Sequence, residues 1–123
     1  MANFSNYAES GILNWMFRSN TNAFPAPLNV SIALTANVPL ESNNGATMGE
    51  LANTGAYARV NLGTPSNTYW TEYASVSDSG NIKNVSDITF PTATANWGWV
   101  SGVCIMNSGV YGAGEILVYD ALA

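Results

Sequence analysis

The chain has no histidine, a single cysteine, three basic residues and no apolar run of bilayer length, and each shortage excludes a class of function. Without His there is no Ser-His-Asp triad, no Cys–His dyad and no imidazole general base, and nearly all catalytic zinc sites lose their commonest ligand. Cys104 has no second thiol to join, so no internal disulfide forms. Set in Val103-Cys104-Ile105-Met106, it reads as a small buried hydrophobe. Arg18, Arg59 and Lys83 stand against eight acids, a net charge of −5. That balance removes the counterion release that carries most nucleic-acid affinity, so DNA and RNA are excluded as main partners. No segment approaches the ~20 apolar residues of a membrane span, and the N-terminus lacks a basic region followed by an apolar stretch. The expectation is a soluble chain with no export signal and no membrane partner.

Charged residues make up 9% of the chain, against roughly a quarter in ordinary globular domains. Neutral polarity takes their place: sixteen Asn, twelve Ser and ten Thr fill 38 of the 123 positions. These residues favour turns, caps and uncharged strand faces, an all-β surface composition. The length predicts one domain over residues 1–123.

Helical spacing occurs once, over residues 5–17, where Ala8, Ile12, Leu13, Trp15 and Met16 recur on helical turns and Asn6 with Glu9 resembles a capping box. Gly11 weakens this helix by about 1 kcal/mol. So short a helix needs a surface to pack on, either its own sheet or a neighbouring subunit. From Leu28 the period becomes two, with Val30, Ile32 and Leu34 on one side and Ser31, Ala33 and Thr35 on the other, which predicts a half-buried strand. Residues 37–55 show little apolar pattern and read as a long loop, a contact arm or mobile flap whose Met48 and Leu51 are candidates to lie on another protein. Further strands are predicted over 57–62, over 69–73, over 82–90 with a bulge near 84–87, and over 97–107 and 115–122, the last two forming a central hairpin around Gly109, Gly112 and Gly114. Residues 77–81 are a turn. The predicted fold is an all-β, single-domain β-sandwich or open barrel of about five or six strands with a short N-terminal helix.

Catalytic chemistry finds little purchase. A glycosidase needs two carboxylates about 5–9 Å apart in a cleft, and nothing pairs Glu72, Asp78, Asp87, Glu115 or Asp120, which fall in turns or at strand ends. Asp78, Asn81 and a carbonyl of the 77–81 turn offer oxygens to Ca²⁺, but the spacing fits no EF-hand loop. No catalytic residue, metal or cofactor is expected. Aromatic side chains among neutral hydrogen-bonding residues also suit a carbohydrate-binding module, with Tyr69, Trp70 and Tyr73 as the sugar contacts, although a small β-domain needs aromatics for its own core.

The string ITFPTATANWGWVSGVCIMN (residues 88–107), followed by EILVYDAL (115–122), resembles a family of small tailed-bacteriophage virion proteins. Some members are labelled tail fibre proteins and others serve as capsid cement or decoration proteins. The short N-terminal helix, the strand at 28–35 and the motif Gly55-Ala-Tyr-Ala-Arg-Val60 fit the same pattern. The combination Phe90-Pro91-Xaa-Ala93-Xaa-Xaa-Xaa-Trp97-Gly98 is its most specific piece, with Trp97 as a structural anchor. The resembling proteins generally continue beyond the equivalent of Tyr119-Asp120-Ala121-Leu122 with one or two further strands, so an open sheet edge covered by an adjacent subunit is expected here.

The resemblance implies a non-enzymatic virion structural protein, made in the bacterial host cytoplasm. Its first reading is a capsid decoration protein that binds the major capsid protein and copies of itself as a homo-oligomer, and its alternative is a tail-fibre or other tail component. The candidate interface residues are Tyr7, Trp15 and Phe17 of the helix, Met48 and Leu51 of the long loop, and Tyr119 and Leu122 of the last strand.

Overall fold

The computed structural model describes residues 2–18, 27, 29–71 and 82–122. Five strands form one antiparallel sheet: β1 (Asn3–Phe4), β2 (Val30–Thr35), β3 (Val60–Gly63), β4 (Gly102–Met106) and β5 (Ile116–Ala121), in the order β1-β5-β4-β2-β3. One helix, α1 (Asn6–Arg18), follows β1 and lies against β5 and β1. The all-β domain with an N-terminal helix is thus present. Among the described residues the strands lie in one sheet, and irregular segments cover both of its faces.

The β4–β5 hairpin sits near the middle of the sheet as expected, with Cys104 opposite Tyr119 and Ile105 opposite Val118. Asn107 closes its turn, donating its backbone N–H to the Glu115 carbonyl and accepting the Glu115 N–H on Oδ1 at 2.8 Å. On the other flank of β4, Ala33 of β2 pairs with Cys104. β2 is therefore interior, and it is buried on both faces rather than half-buried. Its Val30 and Ile32 pack with Leu62, Val60, Trp70, Ile88, Phe90 and Ile105 on one side, while Ala33 packs with Met48, Cys104, Met106 and Ile116 on the other. The polar side chains on this second face are satisfied: Ser31 Oγ donates to the Ser108 carbonyl at 2.6 Å and Thr35 Oγ1 to the Asn37 carbonyl at 2.7 Å. Small polar residues read as a solvent face in sequence fit here because backbone carbonyls accept from them, Ser108 of the β4–β5 turn for Ser31 and Asn37 of the covering segment for Thr35.

That covering segment is residues 37–55. It is tied to β2 by the Ala36 N–H to the Gly49 carbonyl and the Leu51 N–H to the Leu34 carbonyl, and to the hairpin by the Gly45 N–H to the Gly114 carbonyl at 2.8 Å. Gly45 is obligatory there, because a Cβ would stand 2.1 Å from the Ala113 carbonyl oxygen. The expectation of a contact arm or mobile flap is corrected accordingly: Met48 and Leu51 are buried in the core.

Three other expectations change. The edge of β5 is not open, because β1 pairs Asn3 with Tyr119 and Phe4 with Val118, so the same chain supplies the covering strand. The helix is capped by Ser5 rather than Asn6: Ser5 Oγ accepts the Ala8 N–H at 3.2 Å and donates to the Ile116 carbonyl, binding the helix start to β5. The stretches 69–71 and 82–85 meet only in an isolated bridge between Trp70 and Asn84, with the Thr71 N–H on the Lys83 carbonyl, and the expected strand over 82–90 does not form. The turn at 77–81, with Asp78, and the residues Tyr73 and Leu28 lie outside the described residues.

Candidate functional site

The motif at 55–60 organises the interior. A turn closed by the Tyr57 N–H on the Thr54 carbonyl carries positive φ at both central residues, Gly55 (62°) and Ala56 (66°), the backbone signature of a type I′ turn. The Gly55 carbonyl points at the second motif and accepts both the Trp97 indole N–H, at 2.6 Å, and the Thr94 N–H, at 3.0 Å. Tyr57 lies parallel to Phe90 and edge-on to Trp97, with ring centroids 6.5 and 5.4 Å apart. The two motifs that were only separate strings in the sequence are one packed unit, and Trp97 is its anchor.

Two residues further on, Arg59 forms a buried ion pair with Glu50. Nε and Nη2 of Arg59 reach Oε1 and Oε2 of Glu50 at 2.8 and 2.7 Å, and the side chains are 1% and 4% exposed. Burial of two charges costs several kcal/mol per ion unless every polar atom finds a partner, and here nearly all do. Glu50 also accepts the Tyr57 hydroxyl at 3.0 Å and the Gly112 N–H at 3.0 Å, while Arg59 Nη1 donates to the carbonyls of Ser108 (2.7 Å) and Ala113 (2.9 Å). The pair therefore braces the backbone of the β4–β5 turn from inside. The Tyr57 hydroxyl also accepts the Leu34 N–H at 3.0 Å. Burial holds its phenol well above the ordinary range, and the neighbouring Glu50 carboxylate acts in the same direction. The same burial pushes the Cys104 thiol up to about 12. A neutral phenol and thiol around one closed ion pair are structural groups, with no free base or nucleophile among them.

Outside this packed interior, large apolar side chains stand exposed in several places. At the turn that Arg59 and Glu50 brace, Val110 and Tyr111 are exposed. Towards the opposite end of the sheet, where the Ser101 N–H bonds to the Thr35 carbonyl and the Leu122 N–H to the Ser101 carbonyl, Leu122 is exposed; Trp99, two residues before Ser101, is 89% exposed and Val38 is exposed as well. On α1 the buried residues are the small ones, Ala8 and Gly11, while Leu13, Trp15, Met16 and Phe17 are all more than half exposed.

The candidate interface residues thus separate. Trp15, Phe17 and Leu122 are exposed, Tyr7 is half-buried, and Tyr119 is half-buried against the core around Ala33 and Ile116. Met48 and Leu51 are withdrawn from the surface. Tyr69 is exposed, and Trp70 is half-buried, lining a groove of about 490 Å³ with Val30, Pro65, Ile82 and Ile105. Sequence reasoning passed over Leu13, Met16, Trp99 and the turn pair Val110 and Tyr111. The spacing of Leu13, Met16 and Phe17 at i, i+3 and i+4 was the available signal for the first two, although spacing alone does not say which side of a helix meets the sheet.

Among the described residues no group of three or more His, Cys, Asp or Glu stands where it would hold a metal, and no helix is long and apolar enough to cross a membrane. No curated protein matches the chain. A family model described as podophage GP4 fiber I protein gp80 matches residues 3–123. The match runs through every strand and the helix, and the chain belongs to this family of phage fibre proteins.

Proposed function

We propose that the protein is a structural subunit of the podophage tail fibre, attached to neighbouring virion proteins through exposed apolar side chains and performing no catalysis. The match to a fibre-protein family over residues 3–123 carries this reading. The surface supports it: Trp99, Phe17 and Val110 are large apolar groups in water, set among Asn, Ser and Thr that hydrogen-bond across an interface without the desolvation cost of charges. The interior supports it as well. Glu50 and Arg59 fix the β4–β5 turn before any partner arrives, which lowers the ordering cost of binding there.

Copy number per purified particle, measured by gel densitometry against the major capsid protein, tests the placement. Tens of copies, with loss of the protein abolishing adsorption, is the outcome expected of a fibre subunit. Hundreds of copies, with loss lowering the heat tolerance of the particle, would instead identify a capsid decoration protein in contact with the major capsid protein.

A further inference from the structure

We propose that Asn44 is a modification site: the Gly45 backbone nitrogen attacks its side-chain amide, and the conversion to aspartate and isoaspartate is held back by the hydrogen bond that ties Gly45 to Gly114. Asparagine is a thermolabile residue, and Asn44-Gly45 is the one Asn-Gly step in the chain. A glycine in the second position carries no Cβ to obstruct the approach of its own nitrogen. The fold holds both residues in place. A Cβ on Gly45 would stand 2.1 Å from the Ala113 carbonyl oxygen. Asn44 Oδ1 accepts the Ala46 N–H at 3.0 Å and the Thr47 hydroxyl at 3.3 Å, and the Asn44 carbonyl accepts the N–H of Met48, whose side chain is in the core. A labile pair is therefore required at the point where residues 37–55 meet the β4–β5 hairpin.

In the reaction the Gly45 nitrogen bonds to Asn44 Cγ, the Cγ–Nδ2 bond breaks, and Nδ2 leaves as ammonia with the Gly45 proton, closing a cyclic imide. Solvent water then adds to one of the two imide carbonyls. Opening at Cγ restores the main chain as aspartate, and opening at the Asn44 carbonyl carbon reroutes it through Cβ and Cγ as isoaspartate. The donors on Oδ1 stand on the oxygen that takes up charge when Cγ is attacked, and both belong to the turn at 44–47, so they do not depend on Gly114. The nucleophile is what the fold withholds. Gly45 is buried and donates its N–H to the Gly114 carbonyl at 2.8 Å, while Asn44 stands opposite Glu115 in a β-bridge. Its nitrogen must give up that proton and turn toward Cγ, so the tie opens first. Beside the tie Arg59 Nη1 holds the carbonyls of Ala113 at 2.9 Å and Ser108 at 2.7 Å, and the buried ion pair therefore governs how often the opening occurs. Once isoaspartate forms, the lengthened main chain takes Gly45 out of register with Gly114, and the cover over the core around Met48 is released. The inference goes beyond the fibre reading and does not depend on where the protein sits on the particle.

Peptide mapping by mass spectrometry, with isoaspartate scored by an isoaspartyl methyltransferase, follows Asn44 in the full chain held in mildly alkaline buffer with and without denaturing urea. In urea Asn44 is expected to convert ahead of every other asparagine. In native buffer it is expected to convert at least about tenfold more slowly, by a factor that matches the hydrogen-exchange protection of the Gly45 amide to within roughly threefold, because both pass through one opening. Arg59→Met is expected to raise the native rate, whereas Gly55→Ala, a destabilising change in a turn away from the tie, is expected to leave it unchanged. A native rate equal to that in urea, a slowing that departs from the Gly45 protection, another asparagine converting first in urea, or Gly55→Ala acting as strongly as Arg59→Met would each overturn the proposal. If Arg59→Met does not fold, the comparison of Asn44 with the Gly45 amide in the wild type decides. The isoaspartate form, separated by anion exchange on its added negative charge, is expected to melt below the parent, and an equal melting temperature would overturn the release of the cover. None of these results bears on copy number per particle, so failure of this inference is distinguishable from failure of the fibre assignment.

Discussion

Trp97 donates its indole N–H to the carbonyl of Gly55 at 2.6 Å, across 42 residues of chain. The bond requires the Gly55 carbonyl to face outward from a left-handed turn, and it leaves no room above that turn. A Cβ on Gly55 would stand 3.1 Å from the Ala95 Cβ and 3.2 Å from the Trp97 ring, at a φ of +62° that L-residues avoid. Gly55→Ala is expected to lower stability by about 1–2 kcal/mol through the backbone alone, and further through the displaced indole. The neighbouring Ala56 already occupies φ 66° and is exposed, so Ala56→Gly is expected to stabilise or be neutral. Urea melts of the two variants check this reversal of sign.

Arg59 and Glu50 predict a different pattern of loss. Removing one member leaves the other buried and unpaired, which costs about 3–5 kcal/mol. Arg59→Met and Glu50→Leu are each expected to fall in that range, while the double variant is expected to lose much less than their sum. Amide exchange gives a local readout. In Arg59→Met the Ser108 and Ala113 carbonyls lose their donor, so protection around the β4–β5 turn should fall before that of β2 and β4.

Alkaline pH acts through Cys104. Its thiol is pushed from 9.0 up to about 12 by burial, so between those values the unfolded chain loses the proton that the folded chain keeps. Stability is then fully present below pH 9 and declines as the pH rises, with a limiting slope near 1.4 kcal/mol per unit. Tyr57, raised in the same direction, steepens the decline at higher pH. Denaturant midpoints measured from pH 7 to 11 should show the fall, and Cys104→Ala, though less stable at neutral pH, should show a shallower one. In native buffer the buried thiol should react with alkylating reagents only at the rate of opening.

Met48 and Trp99 have reversed importance relative to their sequence surroundings. Met48 lies in an Asn- and Gly-rich stretch yet is 2% exposed, and Met48→Ala is expected to cost about 2–5 kcal/mol by leaving a cavity against Ala33, Cys104, Met106 and Ile116. Trp99 is 89% exposed, and Trp99→Ser is expected to change stability by no more than about 0.5 kcal/mol, leaving the melting temperature nearly unmoved. Thermal melts of the purified chain compare the two directly.

Composition and local pattern by themselves determined much of this protein: the all-β class, the helix near the N-terminus, the β4–β5 hairpin with its Gly-rich turn, the buried character of Cys104, and the absence of imidazole and of any internal disulfide. These follow from which residues are present and from periods of two and 3.6, which are local properties. The family resemblance was equally legible, because the motifs at 55–60 and 90–98 are contiguous strings. Tertiary structure alone decided what those strings do for one another. Nothing local announces that Gly55 receives Trp97, that Glu50 is the partner of Arg59, or that Asn3 and Phe4 close the edge of β5. The same holds for burial. Ser31, Ala33 and Thr35 resemble a wet strand face until residues 37–55 fold over them, and Leu13, Met16 and Phe17 resemble a core-facing stripe until Ser5 fixes α1 with Ala8 and Gly11 toward the sheet. Periodicity establishes that two faces differ; which of them meets water is set by the segment that arrives from elsewhere in the chain.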